Sequence, residues 1–487
     1  MKTVLLLNPP APERVSRDYY CGHVAKGNYY WPATDLLYLS GFFRDGYDVH
    51  VLDAIVEGLD AEAAHGRIDA IRPDVVISMM AAISWGNDVA FLTEVKRRHD
   101  ATILVSGDYP RADARRAIEG HPCIDAVIID FSDSDIVTYV EGTQLANVRN
   151  LYTRQDEGEP VIAKRAVFDI PIPRHELFPL KRYHVPQIKL HPFTMFITDY
   201  GCPFKCGYCY YERIDHKRRN MENIREELEY IHSLGIRELL FMDPSFGAVR
   251  KHAMEVCETM RGVSSRFSWV AEMRADSMDE ELLRTVKAAG CHTLMIGVET
   301  PDEKVLAQLN RRQETKRIEE SFALCRKVGI RTLAHFIIGL DGEDEASIHR
   351  LIDFSLKIKP DIASYNVARP AWNTSFRDTV VNNEWMIDNS IEIANPDYFP
   401  VWESPKMSRK TMWRLRNQAM KRFYMRPSYM ASQLLKVRST YQLRTLFREG
   451  WHMMNQLLRF REDKDQPPST PPTPKDEPVS DTTSVVS

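Results

Sequence analysis

The sequence predicts an α/β chain made of two successive parallel-sheet units, and three observations carry that reading. Short apolar runs alternate with helical patterns from residue 1 to about 142, and again, six times, from residue 193 to about 375. Those runs are continuous rather than alternating, as strands buried on both faces must be. The stretch between the two series is rich in proline and has no period. Alternating β and α elements build parallel sheets with right-handed crossovers. The first series therefore reads as a doubly wound, Rossmann-like sheet. The second reads as a partial (β/α)6 barrel of TIM type, open on one side, with a helical extension after it.

In the first unit, strands are expected at 4–8, 48–53, 74–79, 102–106 and 126–130, with helices near 34–45, 62–71, 87–99 and 112–119. The loop after the first strand, Arg17-Asp18-Tyr19-Tyr20-Cys21-Gly22-His23, is long for a βα connection and leaves the strand's functional end. Cys21 and His23 there read either as ligand contacts or as parts of an ordinary surface loop. Residues 143–192 form a linker with a short β element at 148–161, and Arg174 to Phe178 reads as a docking segment. The barrel strands are expected at 194–198, 238–242, 268–272, 293–298, 331–338 and 362–367. The helices between them fall at 223–234, 248–260, 280–289, 316–328 and 346–357. The domain limits that follow are 1–142, 143–192, 193–375, a helical 376–461 and a tail, 462–487, too poor in apolar residues to fold.

A chain of 487 residues with net charge -4 leaves room for an ample core and gives no sign of a nucleic-acid partner. No apolar run approaches the ~20 residues that span a bilayer. The N-terminus reads as a buried first strand rather than a signal peptide, which implies the cytoplasm. Of eight cysteines, only Cys202, Cys206 and Cys209 are spaced like a site, so no disulfide framework is expected.

Those three lie in Asp199-Tyr200-Gly201-Cys202-Pro203-Phe204-Lys205-Cys206-Gly207-Tyr208-Cys209, a C-x3-C-x2-C pattern directly after the first barrel strand. Three close thiolates suit a soft metal or an iron–sulfur cluster, with one iron of a [4Fe-4S] cube left open to an outside ligand. A structural zinc would want a fourth Cys or His. His216 is the nearby candidate, and it sits among Lys217, Arg218 and Arg219.

This spacing, with an aromatic residue before the last cysteine, resembles the cluster loop of the radical S-adenosylmethionine (SAM) superfamily. The resemblance implies that the open iron chelates SAM and that the reduced cluster cleaves it. It extends over about residues 193–375. Asp243-Pro244-Ser245-Phe246, Gly297-Val298-Glu299-Thr300, Ile337-Ile338-Gly339-Leu340-Asp341-Gly342-Glu343 and Pro370-Ala371-Trp372-Asn373-Thr374 are similar to that family's strand-end motifs. Asp341 and Asn373 stand where Pro and Gly are usual. The SAM contacts implied are Tyr208, Asp243 for the amino group, Arg274 as a fork to the carboxylate, Glu299 for the ribose or to orient Arg274, and Ile338 against adenine. For Asp243 a plain turn-forming role stays open. His335 is a candidate for proton transfer to or from substrate, or a core histidine, and Arg369 is placed to meet an anionic substrate.

Residues 1–142 resemble the cobalamin-binding-type domain that precedes many such barrels, through Asn8-Pro9-Pro10, Trp31-Pro32 and Tyr47-Asp48-Val49. The glycine-rich loops of that domain are replaced here by Ser106-Gly107-Asp108-Tyr109-Pro110 and Asp130-Phe131-Ser132-Asp133-Ser134-Asp135. Tyr109 and Phe131 take space that glycine leaves free. Two outcomes stay open, a bound cobalamin and a retained scaffold that caps the barrel.

Between Lys406 and Arg461 the chain is basic and interleaved with aromatic residues. It reads as an extension packed on the barrel or as a peripheral membrane contact. Cys257, Cys291 and Cys325 read as packing thiols. The functional expectation is an enzyme with a [4Fe-4S] cluster and SAM that abstracts hydrogen from a small molecule or lipid. An electron donor such as flavodoxin or ferredoxin would feed it. With cobalamin, methyl transfer or cyclisation is implied; without it, dehydration, rearrangement or decarboxylation. The rival from another class is a cluster-bearing regulatory protein without turnover.

Overall fold

The computed structural model describes residues 1–18, 21–24, 29–142, 150–156, 158, 160, 162, 164–264, 266–387, 400–436 and 450. Its first sheet is built from β1 (Lys2–Asn8), β4 (Tyr47–Asp53), β5 (Val75–Met79), β6 (Thr102–Ser106), β7 (Ala126–Ile128) and β8 (Leu151–Thr153), in the order β4-β1-β5-β6-β7-β8. All neighbours run parallel except β8, which pairs antiparallel with β7. The first unit therefore extends past residue 142, because β8 lies in what the sequence reads as linker. Val4, Leu5, Leu6 and Leu7 are fully buried, as a central strand covered on both faces requires.

The second sheet orders β10 (Phe193–Phe196), β13 (Glu238–Phe241), β14 (Ser268–Met273), β15 (Cys291–Glu299), β16 (Arg331–Ile338) and β17 (Ile362–Val367) in sequence. All its pairs are parallel, and β10 and β17 do not pair, so the barrel is open. Helices Met221–Ser233, Arg250–Val263, Glu280–Ala288, Thr315–Val328 and Glu345–Ile358 cover its outside. Asn220, Asp279 and Asp344 cap three of them through side-chain bonds to backbone N–H groups.

Two smaller pieces were not legible in the sequence. The long loop after β1 is an antiparallel hairpin, β2 (Val15–Asp18) with β3 (Cys21–Val24). It is no ordinary surface loop, since Arg17, Asp18 and Gly22 are buried. Tyr19 and Tyr20 lie outside the described residues. A three-stranded ribbon, β11 (Asp199–Tyr200), β12 (Lys217–Arg219) and β9 (Val167–Phe168), flanks the cysteine loop.

The two units are locked by a buried polar cluster. Glu227 pairs with Arg219 and with His175, whose Nδ1 meets Thr194 Oγ1 at 2.8 Å. Tyr38 of the first unit accepts the Ile197 N–H at 2.8 Å and donates to Glu227 at 3.3 Å. Each charge has its partner, which is what lets such a cluster sit in a core. His175 is fully buried, in keeping with a docking role for its segment. In the extension, helix Arg409–Tyr424 buries Met412, Leu415, Arg416, Ala419 and Phe423, and Tyr424 donates to Ala363 O of β17 at 2.6 Å. The described part is thus packed on the barrel. Residues 388–399, 437–449 and 451–487 lie outside the described residues, and with them the rest of the basic stretch and the tail. No described helix is long and apolar enough to cross a membrane.

Candidate active site at the barrel mouth

The cysteine loop leaves β10 through Gly201, at φ 70°, where a Cβ would run into Asp215 O. It is then stapled from two other strand ends. Gly207 N–H donates to Leu309 O at 2.9 Å, and Phe376 N–H donates to Gly207 O at 2.7 Å. Asn310 Nδ2 donates to Lys205 O at 2.9 Å, and Ser375 N–H to Glu212 at 2.8 Å. Asn373 adopts φ 60°, a conformation that Gly or Asn tolerates, which explains the substitution at that turn.

Cys202 and Cys206 are buried and Cys209 half-buried. The Phe204 N–H reaches Cys202, the Tyr211 N–H reaches Cys209, and Arg311 reaches Cys206. Arg274 Nη1 adds a contact to Cys206 Sγ at 3.7 Å. Burial, together with their mutual proximity, raises the thiols of Cys202 and Cys209, so it takes a bound metal to hold them as thiolates. Three sulfurs on one loop, each receiving an N–H, fit a [4Fe-4S] cluster with one iron left for another ligand. Among the described residues, no group of three or more His, Cys, Asp or Glu is arranged to hold a single metal ion. His216 turns instead to Asp199, at 3.1 Å.

Arg274 is held at the loop, with its guanidinium carbon 4.0 Å from the centre of the Phe204 ring. Its fork is bidentate to Asp276, at 2.9 and 2.7 Å, and it also donates to Arg311 O. Glu299 feels the charge of Arg274 but bonds elsewhere. It pairs with Arg311 at 3.3 Å, and the Tyr208 hydroxyl adjoins it. Arg311 further donates to Gly297 O at 2.6 Å and to Gln313 at 3.2 Å. A Cβ at Gly297 would come within 2.6 Å of Arg311 Nη2, so any larger residue would push the Arg311 and Glu299 side chains from their present places. Glu299 itself sits at φ 63°, where β15 slips register against β16. Such strain in a non-glycine residue is concentrated at functional sites. Arg311, which the sequence reading missed, is thus the hub of the site. Its place in a loop between two helices, beside Arg312, looks like ordinary solvated charge.

Asp243 is buried and fully engaged. It accepts the Thr198 N–H (2.6 Å), the Asp199 N–H (3.0 Å) and the Thr198 hydroxyl (2.5 Å). Burial and then the Asp199 carboxylate push it up to about 7. These bonds tie the end of β13 to the root of the cysteine loop, across the sheet rather than within Asp243's own turn.

The lumen is read from alternation. Phe336 stacks on Tyr365 at 5.1 Å, and Tyr365 donates to Ser355 of the covering helix, so this face of β16 and β17 looks outward. Ile338 shares it and is fully buried, away from the lumen. The partly exposed Ile337 occupies the inner face, so any apolar wall for an adenine comes from Ile337 and not Ile338. His335 lies on that inner face between Gly297 and Ser364 in register, with Asn366 two residues beyond Ser364. Glu272, on the inner face of β14, was also missed. Its side chain is exposed, yet enclosure by protein and the nearby Glu299 raise it to about 7. Arg369 does not face the lumen freely. It donates to Gly22 O at 2.7 Å and pairs with Asp108 at 3.4 Å, both in the first unit, over the Tyr210 ring. Cys257, Cys291 and Cys325 are buried packing thiols.

The radical SAM superfamily pattern matches residues 196–355, the segment just described. An uncharacterized methyltransferase of Pyrococcus horikoshii is 25% identical over 450 residues, 89% of this chain and 95% of that protein. An anaerobic magnesium-protoporphyrin IX monomethyl ester cyclase of Cereibacter sphaeroides is 23% identical over 70% of this chain, which spans only 59% of the cyclase. Among solved structures, the methyltransferase TsrM from Kitasatospora setae, with cobalamin and a [4Fe-4S] cluster bound, superposes with TM-score 0.66 at 16% identity, covering 94% of this chain and 99% of TsrM. OxsB with aqua-cobalamin and SAM bound gives 0.69 at 14%, covering 96% and 74%. At these identities the structures establish the shared fold: an open α/β sheet ahead of a partial barrel.

Proposed function

We propose that the chain works as a radical SAM enzyme, on the strength of the superfamily pattern at residues 196–355 and of a fold shared with TsrM, and that its own residues serve the reaction as follows. Cys202, Cys206 and Cys209 hold a [4Fe-4S] cluster. Once bound and reduced by a flavodoxin- or ferredoxin-class donor, such a cluster would supply the electron for reductive cleavage of SAM and so for hydrogen abstraction from substrate. Arg274 and Arg311 donate toward Cys206 and lower the charge cost of the reduced state. Glu299 and Tyr208, fixed by Arg311, present oxygen atoms beside the cysteine loop for the ribose hydroxyls of SAM. Ile337 supplies apolar wall. Glu272, His335, Ser364 and Asn366 line the lumen below and are the groups that meet the substrate. The substrate is a small molecule or lipid; the names of the relatives suggest a transformation of methyltransferase or cyclase type, and a chain working without a corrin carrier would instead carry out dehydration, rearrangement or decarboxylation.

The observation that carries this reading is the convergence of the three-thiol loop, Arg274 and the Arg311–Glu299 pair at one strand edge. Anaerobic reconstitution with iron and sulfide, followed by a SAM-cleavage assay under a low-potential reductant, tests it. Accumulation of 5′-deoxyadenosine or S-adenosylhomocysteine is expected. Neither product from protein with an intact cluster would leave a regulatory iron–sulfur protein as the reading.

A further inference from the structure

In open α/β sheets a ligand sits beyond the carboxyl ends of the strands, at the point where strand order reverses. Here that point lies between β1 and β5, at Asn8 and Met79. The protein's own hairpin covers it, leaving beside Asn8 and Arg17 only a small cavity lined by His23, Tyr30 and Trp31. Arg17 of β2 is 1% exposed and spends its guanidinium there, donating to Asn8 Oδ1 (2.8 Å), Pro9 O (2.9 Å), Ser84 (3.1 Å) and both oxygens of Asp88 (2.9 and 2.8 Å). The facing strand β3 lies so close that a Cβ on Gly22 would come within 2.7 Å of Ala81 and 2.9 Å of Asp108.

The backbone amides at this edge, which in such a fold serve phosphate-bearing ligands, are taken by carboxylates of the chain. Asp108 accepts the N–H groups of Gly22, Ala82 and Tyr109, and Asp130 accepts the N–H of Ser132. Two cations reach over from the barrel side and close the seam. Arg369 binds Gly22 O and Asp108, and Lys217 binds Asp130 at 2.5 Å above the Tyr200 ring. The remaining space is aromatic. Tyr109, fully buried, lies edge-on between Trp85 (4.6 Å) and Trp372 (5.0 Å), and Phe131 packs against Tyr38 and Tyr200. The buried donors left over along this seam include the hydroxyls of Tyr30, Tyr109 and Tyr210, Arg369 Nε and the Trp372 indole N–H, separate atoms of the kind that single waters satisfy.

A corrin needs a broad slot between sheet edge and barrel, and a channel for its nucleotide tail. Neither is compatible with these side chains in place. We infer that this chain does not bind cobalamin, and that the hairpin, Tyr109 and Phe131 stand in for it as a built-in cap that joins the first unit to the barrel mouth. The SAM-derived radical then acts on substrate without a corrin methyl carrier.

The test is to produce the full-length protein in a host importing hydroxocobalamin, and separately to dialyse the cluster-bearing protein against hydroxocobalamin. Cobalt and corrin absorbance are then read after gel filtration. Cobalt at the level of protein made without corrin, by both routes, is the expected result. One corrin retained per chain overturns the inference. So does a SAM-cleavage or product yield that rises on adding cobalamin. The cobalt readout is independent of turnover, so failure of the proposed activity and failure of this inference are distinguishable.

Discussion

The molecule has two carboxyl-terminal sheet edges facing each other, and they have been used in opposite ways. At the barrel edge, side chains hold a site open. Gly297 makes room for the Arg311–Glu299 pair, and Glu272 stays exposed. At the edge of the first sheet, the corresponding space is closed by Arg17, Tyr109 and Phe131, all buried. The same architecture that gathers ligands is a cofactor cradle in one unit and a wall in the other. Which it becomes is decided by a few loop residues, not by the sheet.

The most severe break should come from the barrel side. Cys206→Ala is expected to reduce iron in reconstituted protein and to bring 5′-deoxyadenosine to background, while thermal unfolding of the first unit is little changed.

The seam gives the next largest effect, on stability. Lys217→Met leaves Asp130 buried without its counter-charge and should cost about 3–5 kcal/mol in denaturant unfolding, whereas Lys217→Met with Asp130→Leu should recover much of that. Burial alone would raise Asp130, but Lys217 and Ser132 outweigh it and hold the carboxyl below the usual range. The folded pKa lies below the unfolded value of ~3.9, so this stabilisation is present above that pH and fades as pH falls through the folded value. The gap between wild type and Lys217→Met should accordingly narrow in acid. Tyr109→Ala, which hollows the wall, should cost about 3 kcal/mol and leave iron content intact.

Smaller effects should sharpen the assignment of the open edge. Arg311→Lys keeps a charge but loses the fork to Glu299, Gly297 and Gln313, and should lower the rate of SAM cleavage by about 10–100-fold with Cys206 and iron retained. Glu272 is neutral below about 7 and charged above it. If its carboxylate receives a substrate donor, wild-type kcat/KM rises through that pH. Glu272→Gln should flatten the limb with only a few-fold change in kcat, and an unaltered profile would remove Glu272 from the substrate site.

Much of this was legible in the sequence. Continuous apolar runs gave the strand positions, with β6, β16 and β17 matched end to end, because a strand buried on both faces leaves little freedom in composition. The cysteine spacing located the site. Other features were not legible because they are set by tertiary neighbours. The hairpin of β2 and β3 has no hairpin turn signature, and it is held by Arg17 bonding to residues far along the chain. Ile338 was assigned to the wrong face because a motif names neighbours but not the parity of the pleat. The motifs point to Arg274 and Asp243 but do not reveal their partners within the chain, Asp276 and Thr198. Arg311 lies in a loop whose importance appears only when it meets Glu299 across the mouth.

The most direct measurement is SAM cleavage by cobalt-free, cluster-reconstituted protein, with 5′-deoxyadenosine quantified against iron content. The open barrel edge and the closed sheet edge together predict that 5′-deoxyadenosine accumulates without added cobalamin and that Cys206→Ala abolishes it. No 5′-deoxyadenosine from fully loaded protein, or its appearance only when cobalamin is supplied, would contradict the account.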